Sequence, residues 1–247
     1  MNILEVKNVN KHFGGLHAVR DCSFDIEANT IVGLIGPNGA GKTTLFNLLT
    51  GVIPVDSGEI HFEGENVTKL PTFLRAKKGI ARTFQVIRLF PELTVLENVL
   101  VSLKGNVQSL WKFWKNHSKE HEYLTAKAHE YLRRVGLNAK TNHKAKEVSY
   151  GQQKLLEIIC RIACEGELIL LDEPAAGVNP TMLRSVVDLI KGLHREGKTF
   201  LIIEHDMGFI MNISHRIIAL DFGHVIAEGT PSEIQKNEKV LSTYLGG

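Results

Sequence analysis

The chain of 247 residues has little cysteine, almost no net charge and no long apolar run, and each shortage removes a class of protein. The three cysteines, Cys22, Cys160 and Cys164, show no Cys-x-x-Cys spacing. Neither a disulfide framework nor a zinc or dithiol centre is expected. Cys160 and Cys164 stand four apart among Ile and Leu, so they read as small hydrophobes on a buried helix face in a reducing compartment. A net charge of +2 is too small to suggest nucleic-acid binding by electrostatics. The longest apolar runs, such as Leu168–Leu171, fall far below the roughly 18–20 residues that span a bilayer. The opening residues Met1–Val9 alternate like a strand and carry no signal-peptide pattern. No internal repeat or low-complexity tract is visible. What remains is an ordinary globular composition, 43% apolar and 23% charged, of a length for one domain with at most a small subdomain.

The densest chemical signal is Gly36–Thr44, "GPNGAGKTT", between the apolar run Ile31–Ile35 and the helix-like "LFNLL". Phosphate oxygens need many donors at close range. Gly36, Gly39 and Gly41, with Pro37, Asn38 and Ala40 between them, let the backbone curl so that successive N–H groups point inward. The helix that follows adds its unpaired N–H groups and the positive end of its dipole. Lys42 can reach the terminal phosphates, the Thr43 hydroxyl suits Mg²⁺, and Thr44 is a further donor. The pattern G-x-x-x-x-G-K-[ST] is met in the strand–turn–helix context it requires.

Strand patterns occur at Leu4–Val9, Phe24–Ile26, Ile31–Ile35, within Asp56–Gly64, and at Leu168–Leu171 and Thr199–Ile203. Ile217–Leu220 and Val225–Ala227 bracket a turn sequence, Asp221–His224, and read as a hairpin. Helical spacing runs from Thr181 to Glu196. Alternating strands and helices predict an α/β fold. Residues 92–165 break the rhythm and read as a helical subdomain inserted into the sheet domain.

Two more segments carry chemistry. Leu170–Pro174 is an apolar strand ending in Asp172 and Glu173. Beside a phosphate loop, Asp172 would stand in the Mg²⁺ shell, and Glu173 would orient a water for attack on the γ-phosphate. Val148–Gln153 precedes an apolar-faced helix. Ser149 is a good N-cap, and Gly151 allows close approach at a second helix start that attracts an anion. One ATP does not need two such starts from one subunit, whereas two subunits packed head-to-tail could each offer the second to the other.

In this order the segments resemble the ATP-binding subunits of ABC transporters, over almost the whole chain. The resemblance implies a P-loop NTPase sheet domain with an antiparallel β subdomain and an inserted helical subdomain. It makes residues 1–247 a single nucleotide-binding domain, with 1–91 and 166–247 as the ATP-binding core and 92–165 carrying the signature. It implies that Gln85 is the Q-loop glutamine, a metal contact and part of the catalytic set with Lys42, Glu173 and His205, the switch histidine. Ala176–Asn179 resemble the D-loop. Ser149, Tyr150, Gly151 and Gln152 would bind ATP in trans, and Phe13 would stack on adenine. Read without the resemblance, Phe13 is equally a core residue, and His205 a structural histidine. Tyr150 and Asn179 stand where many members have glycine and aspartate.

"SYGQQ", "DEPAAGVNP", "TFQVIRLFPELTVLENV" and "EHDM" together resemble the branched-chain amino acid importers, in the G-type of their two ATPase subunits. Urea and amide importers share much of this wording. The implied cofactors are ATP and Mg²⁺. The implied partners are a second ATPase subunit (a paralogue or a second copy), two membrane permeases and, indirectly, a solute-binding protein, with no nucleic acid. The implied place is the cytoplasmic face of the inner or plasma membrane, as a peripheral subunit. In the family, the segment matching Arg88, Leu89, Phe90, Pro91 and Leu93 helps line the permease groove. Trp111 and Trp114 either pack within the helical subdomain or face a partner. Rival readings are a soluble ABC-type ATPase of DNA repair or translation and a small-molecule P-loop kinase. Hydrolysis of ATP without a phosphoryl acceptor separates the kinase from the rest.

Overall fold

The computed structural model describes residues 1–82, 89–104, 119–163 and 166–245. Two compact units emerge from the chain's own contacts. One takes Met1–Arg82, Gly166–Glu173 and His194–Gly247, and the other Thr83–Glu165 and Pro174–Leu193.

The first unit holds two sheets. The antiparallel sheet has the order β2-β1-β4-β5, from β1 (Asn2–Phe13), β2 (Leu16–Glu27), β4 (Ser57–Phe62) and β5 (Glu65–Asn66). The other runs β10-β9-β3-β8-β7-β6, from β3 (Ile31–Ile35), β6 (Ile80–Arg82), β7 (Leu168–Asp172), β8 (Thr199–Ile203), β9 (Arg216–Asp221) and β10 (His224–Gly229). All its neighbours pair in parallel except the β9–β10 hairpin. β3, β7 and β8 are buried along their whole length, as strands covered on both faces must be. Their register sets Leu34 beside Ile203 and Ile203 beside Asp172, so the three strands end at one level.

The helix α1 (Lys42–Leu49) turns Leu45, Phe46, Leu48 and Leu49 into a core that also takes Val6, Phe24, Ile26, Ile60 and Phe62 from the antiparallel sheet and Leu170, Leu201 and Ile218 from the parallel one. Each such side chain contributes about 1.5–3 kcal/mol by leaving water. The C-terminal end of α1 is buried, so its last carbonyls need partners. Backbone N–H groups of Thr50, Gly51 and Val52 reach Phe46 O, Leu48 O and Asn47 O, and Arg75, on α2 (Thr72–Lys78), adds bonds to the last two carbonyls of the helix, those of Leu48 and Leu49. It is 2% exposed and donates to Leu48 O at 2.6 Å and Leu49 O at 2.8 Å, and also to Thr68 O at 2.7 Å and Leu70 O at 2.9 Å. Burial pushes its pKa down to about 10, which leaves the guanidinium charged at neutral pH and opposite the negative end of the helix dipole.

The second unit is helical among its described residues. α3 (Val95–Lys104) packs on α4 (Lys119–Arg134) and α5 (Tyr150–Ile162). Most of α6 (Pro180–Arg195) belongs here as well. The C-terminal part of the first unit adds α7 (Met207–Ile213), α8 (Pro231–Ile234) and α9 (Glu238–Leu245). Among the described residues, no helix is long and apolar enough to cross a membrane.

Replacing Arg75 with Met should keep the volume and take the guanidinium donors from Leu49 O, Thr68 O and Leu70 O, while Leu48 O keeps the Gly51 N–H at 3.1 Å. An unsatisfied buried acceptor costs on the order of 1–3 kcal/mol, and relaxation recovers part of it. Urea unfolding of Arg75→Met should therefore show a loss of about 2–4 kcal/mol with an unchanged m-value.

Candidate functional site

The first unit carries an open cleft at the end of β3. Its walls include the phosphate-loop sequence, the β1–β2 tip (Phe13, Leu16, His17), Glu173, His205 and Phe222. The loop is seated on backbone from two other places. A Cβ at Gly36, where φ is 153°, would lie 2.1 Å from Leu220 O, and one at Gly41, where φ is 98°, would lie 2.4 Å from Ala18 O. Only glycine permits those approaches. Gly223 N–H donates to Ala40 O at 3.0 Å, and Arg20 N–H donates to Gly223 O at 2.9 Å, so the β9–β10 turn ties the loop to β2.

Lys42 folds back over the loop. Its Nζ donates to Gly36 O at 2.7 Å and Pro37 O at 2.8 Å. Burial holds the ammonium below the ordinary lysine value, and the charges of Glu173 and Asp172 act against that. The cation is thus lodged in a partly desolvated place with two carboxylates near it. Thr43 is exposed, Thr44 is half-buried and Asn38 and Gly39 face solvent.

Asp172 ends β7 as a buried carboxylate. Glu173, the next residue, has φ of 49°, left-handed for a non-glycine residue. Such a conformation costs on the order of 1–3 kcal/mol and clusters at functional sites. It is held by Glu173 N–H donating to Ile203 O at 2.9 Å. The Glu173 carboxylate meets His205, with Oε1 2.8 Å from Nε2, and both side chains remain well exposed. The carboxylate can only accept when ionised, so His205 Nε2 carries the hydrogen there. Sequence reasoning missed the residue that fixes the His205 turn. Glu204 is 4% exposed, and its Oε2 accepts the N–H of His205 at 2.9 Å and of Asp206 at 3.4 Å. Asp206 then caps α7 by accepting Phe209 N–H at 2.9 Å. A charged residue closing the apolar strand Thr199–Ile203 was the available signal.

Phe222 was also missed. It is 74% exposed and has φ of 42° beside Gly223 at 84°, a tight hairpin turn in which an aromatic is unusual. Phe13 lines the cleft, 48% exposed, with Lys11 Nζ 5.6 Å from its ring centroid, so it is not a core residue. The donors suited to a cation here are hard oxygens, the Asp172 carboxylate and the Thr43 hydroxyl. No group of three or more His, Cys, Asp or Glu among the described residues could hold a metal ion by itself. That set fits Mg²⁺, which is held by one or two protein oxygens and completed by phosphate and water.

In the second unit Ser149 caps α5, with Ser149 N–H donating to Gln152 Oε1 at 3.1 Å and Gln152 N–H to Ser149 Oγ at 3.4 Å. Ser149 and Tyr150 are exposed. Gly151 packs against Met182, where a Cβ would lie 2.4 Å from Cε. Asn179 Oδ1 accepts Met182 N–H at 2.9 Å, which brings the segment Ala176–Asn179 into the same cluster. Phe90 is exposed, and its backbone is clamped by buried Asn98. Gln85, Arg88, Trp111, Trp114 and Cys164 lie outside the described residues.

Comparison with known proteins follows the same lines. The family model described as ABC transporter matches residues 19–176, and one described as branched-chain amino acid ATP-binding cassette transporter matches 224–247. The high-affinity branched-chain amino acid transport ATP-binding protein BraF of Pseudomonas aeruginosa is 41% identical, covering 99% of this chain and 98% of that protein. The LivG protein of Salmonella typhimurium, of the same description, is 42% identical with the same coverage. Among solved structures, the ADP conformation of MJ1267, an ATP-binding cassette of an ABC transporter, superposes with a TM-score of 0.85 at 33% identity and covers 100% of both chains. The dimeric post-hydrolysis state of the ATP-binding cassette MJ0796, bound to ADP and Pi, gives 0.75 at 27% identity over 92% of this chain and 98% of that one.

Gly36→Ala should unseat the loop from Leu220, cost about 2–4 kcal/mol in urea unfolding and abolish binding of a fluorescent ATP analogue. Gly39→Ala, whose Cβ would meet nothing within 4 Å, should cost only the backbone strain, about 1 kcal/mol.

Proposed function

The chain belongs to the ABC transporter family of ATP-binding proteins and is an ATPase, and we propose that it is the motor subunit of a branched-chain amino acid importer. The observation that carries the mechanism is the Glu173–His205 contact of 2.8 Å at the cleft that also holds Lys42. ATP enters with its triphosphate on Gly36, Pro37, Asn38, Gly39, Ala40, Gly41, Lys42, Thr43 and Thr44. Lys42 exchanges its two loop carbonyls for phosphate oxygens, which relieves its desolvated charge. The adenine stacks on the exposed ring of Phe13. Thr43 and Asp172, with Gln85, would hold Mg²⁺, whose charge would offset that of the triphosphate.

Glu173 then accepts a hydrogen bond from the attacking water and orients it, while His205, released from Glu173 or shared with it, donates to the γ-phosphate. Phosphoryl transfer asks mainly for such positioning and charge stabilisation. Two ATPase subunits, the second a paralogue or another copy, close head-to-tail. Ser149, Tyr150, Gly151 and Gln152 of one then cover the γ-phosphate held by the other. The 3.4 Å bond from Gln152 N–H to Ser149 Oγ is long enough to yield that hydroxyl and amide to a phosphate. Closure and reopening drive two membrane permeases, fed by a solute-binding protein, from the cytoplasmic face of the membrane.

Glu173→Gln should bind ATP and slow hydrolysis by roughly 10²–10⁴-fold, the usual contribution of a general base. Loss of one negative charge beside the γ-phosphate also favours the closed pair, so size-exclusion chromatography in Mg-ATP should show a dimer for Glu173→Gln and mainly monomer for the native chain, with the paralogue added if the pair is mixed. Lys42→Ala should lose most nucleotide binding with the fold intact. Native turnover in either variant removes that residue from the mechanism. For the solute, vesicles reconstituted with the permeases and binding protein should accumulate radiolabelled leucine, isoleucine or valine on ATP addition. Accumulation of urea or short amides instead would redirect the assignment.

A further inference from the structure

His17 lines the cleft beside Phe13 and Leu16, and the roles assigned so far give it no task. Its ring is fixed by a network whose donors and acceptors can be told apart. His17 Nε2 lies 2.9 Å from Asn10 Oδ1. The Asn10 amide has one consistent orientation: its Nδ2 donates to Asn8 O at 2.9 Å and Asp21 Oδ1 at 3.0 Å, while its Oδ1 accepts Asp21 N–H at 2.9 Å. Turned over, it would set NH₂ against a backbone N–H and its oxygen against two oxygens. Asn10 Oδ1 is therefore an acceptor, and the hydrogen shared with His17 sits on Nε2.

Burial, with the charges of His12 and Arg20, holds the His17 imidazole below the ordinary histidine value, so the ring is neutral at neutral pH. A neutral ring with its hydrogen on Nε2 has a bare lone pair on Nδ1. That atom has no hydrogen-bond partner among the described residues, and it is not among the buried polar atoms. Stacking on His12, with ring centroids 3.8 Å apart and planes 17° from parallel, keeps the imidazole from swinging away.

His17 lines the cleft, and an unpaired acceptor on its ring that is not buried calls for a donor. The ionised triphosphate of ATP has none, so every donor ATP offers is on its nucleoside: the ribose hydroxyls and the adenine amino group. His17 is placed to meet that half. Its neighbour Ala18 abuts the phosphate loop at Gly41, and Phe13 stands four residues away on the same tip. We propose that His17 Nδ1 accepts a hydrogen bond from the nucleoside of bound ATP, which makes His17 a specificity-determining contact for a ribose hydroxyl or the adenine amino group. The inference rests on the assignment of this cleft to ATP.

The test measures equilibrium binding to the full chain at neutral pH. The ligands are ATP, 2′-deoxy-ATP, 3′-deoxy-ATP, purine riboside triphosphate (which lacks the amino group) and inorganic tripolyphosphate. Native chain is compared with His17→Phe, which keeps a flat ring against His12 and has no acceptor, and with His17→Leu, so that a folding failure of one variant is covered by the other. A neutral hydrogen bond corresponds to a factor of roughly 5–10 in affinity. The native chain should bind one analogue weaker than ATP by about that factor, and in the variants ATP and that analogue should bind alike. A deoxy analogue identifies the hydroxyl, and the purine riboside identifies the amino group. Tripolyphosphate should bind native chain and variants equally, because it never reaches His17. If native chain and variants discriminate among the nucleotides to the same degree, the inference is overturned and the ATP assignment stands. If the native chain binds neither ATP nor tripolyphosphate, the assignment itself falls and takes the inference with it.

Discussion

Parallel pairing of β3, β8 and β7 fixes where the cleft groups of the first unit that follow these strands can stand. Parallel strands end on the same side of their sheet, and here the register brings Leu34, Ile203 and Asp172 to one level. The chain must leave the sheet just past that level, and what it carries there is the phosphate loop from β3, Glu204 and His205 from β8, and Glu173 from β7. These strands are buried along their whole length and apolar except for Thr199 and Asp172, so a slip would need to break the ladder and reseat two neighbours at once. Sheet register thus does the work that a metal cage or a disulfide does elsewhere: it sets distances between groups far apart in sequence.

Charge is arranged around that edge with little freedom. Lys42 is lodged among carbonyls, and Asp172 and Glu173 stand near enough to raise its affinity for the proton. For the triphosphate proposed to bind here, Lys42 is a cation already partly desolvated, so part of that cost would be met by folding. Glu173 reaches His205 from a left-handed backbone, and Glu204 pins the turn that presents the imidazole. Arg75 does the comparable service behind the loop, where it closes off the far end of α1. The loop helix is therefore held at both ends, by glycine-tight seating in front and by a guanidinium at the back.

Much of this was legible because periodicity and turn chemistry are local. The strand Ile31–Ile35 and the strand Thr199–Ile203 have the bounds that their apolar runs suggest, and the hairpin around Asp221–His224 follows from its turn residues. Ser149 caps its helix as its chemistry foretold. What escaped was set by distant neighbours. Ile80–Arg82 is too short for a strand pattern, and its identity comes from lying beside Leu168–Leu170. Arg75 reads as one more basic residue of a surface helix until α1 is laid against it. Phe222 reads as a turn residue, and only the assembled cleft shows it on the wall. Local rules reach as far as a residue's own element, and Arg75 and Phe222 act outside theirs, whereas Glu204 acts on the two residues that follow it.

The place of β3 in its sheet also bears on the order in which the molecule can form. Its two hydrogen-bonded neighbours are β8 and β9, drawn from residues 199–203 and 216–221, while β3 itself is complete by residue 35. Closing such long loops is slow, and a nascent chain has neither partner until most of it has left the ribosome. Gly36 cannot find its seat on Leu220 any sooner. The loop that is written first in the sequence is thus among the last parts to acquire its shape, and a chain interrupted before residue 220 would carry the whole phosphate-binding motif without the backbone that makes it a site.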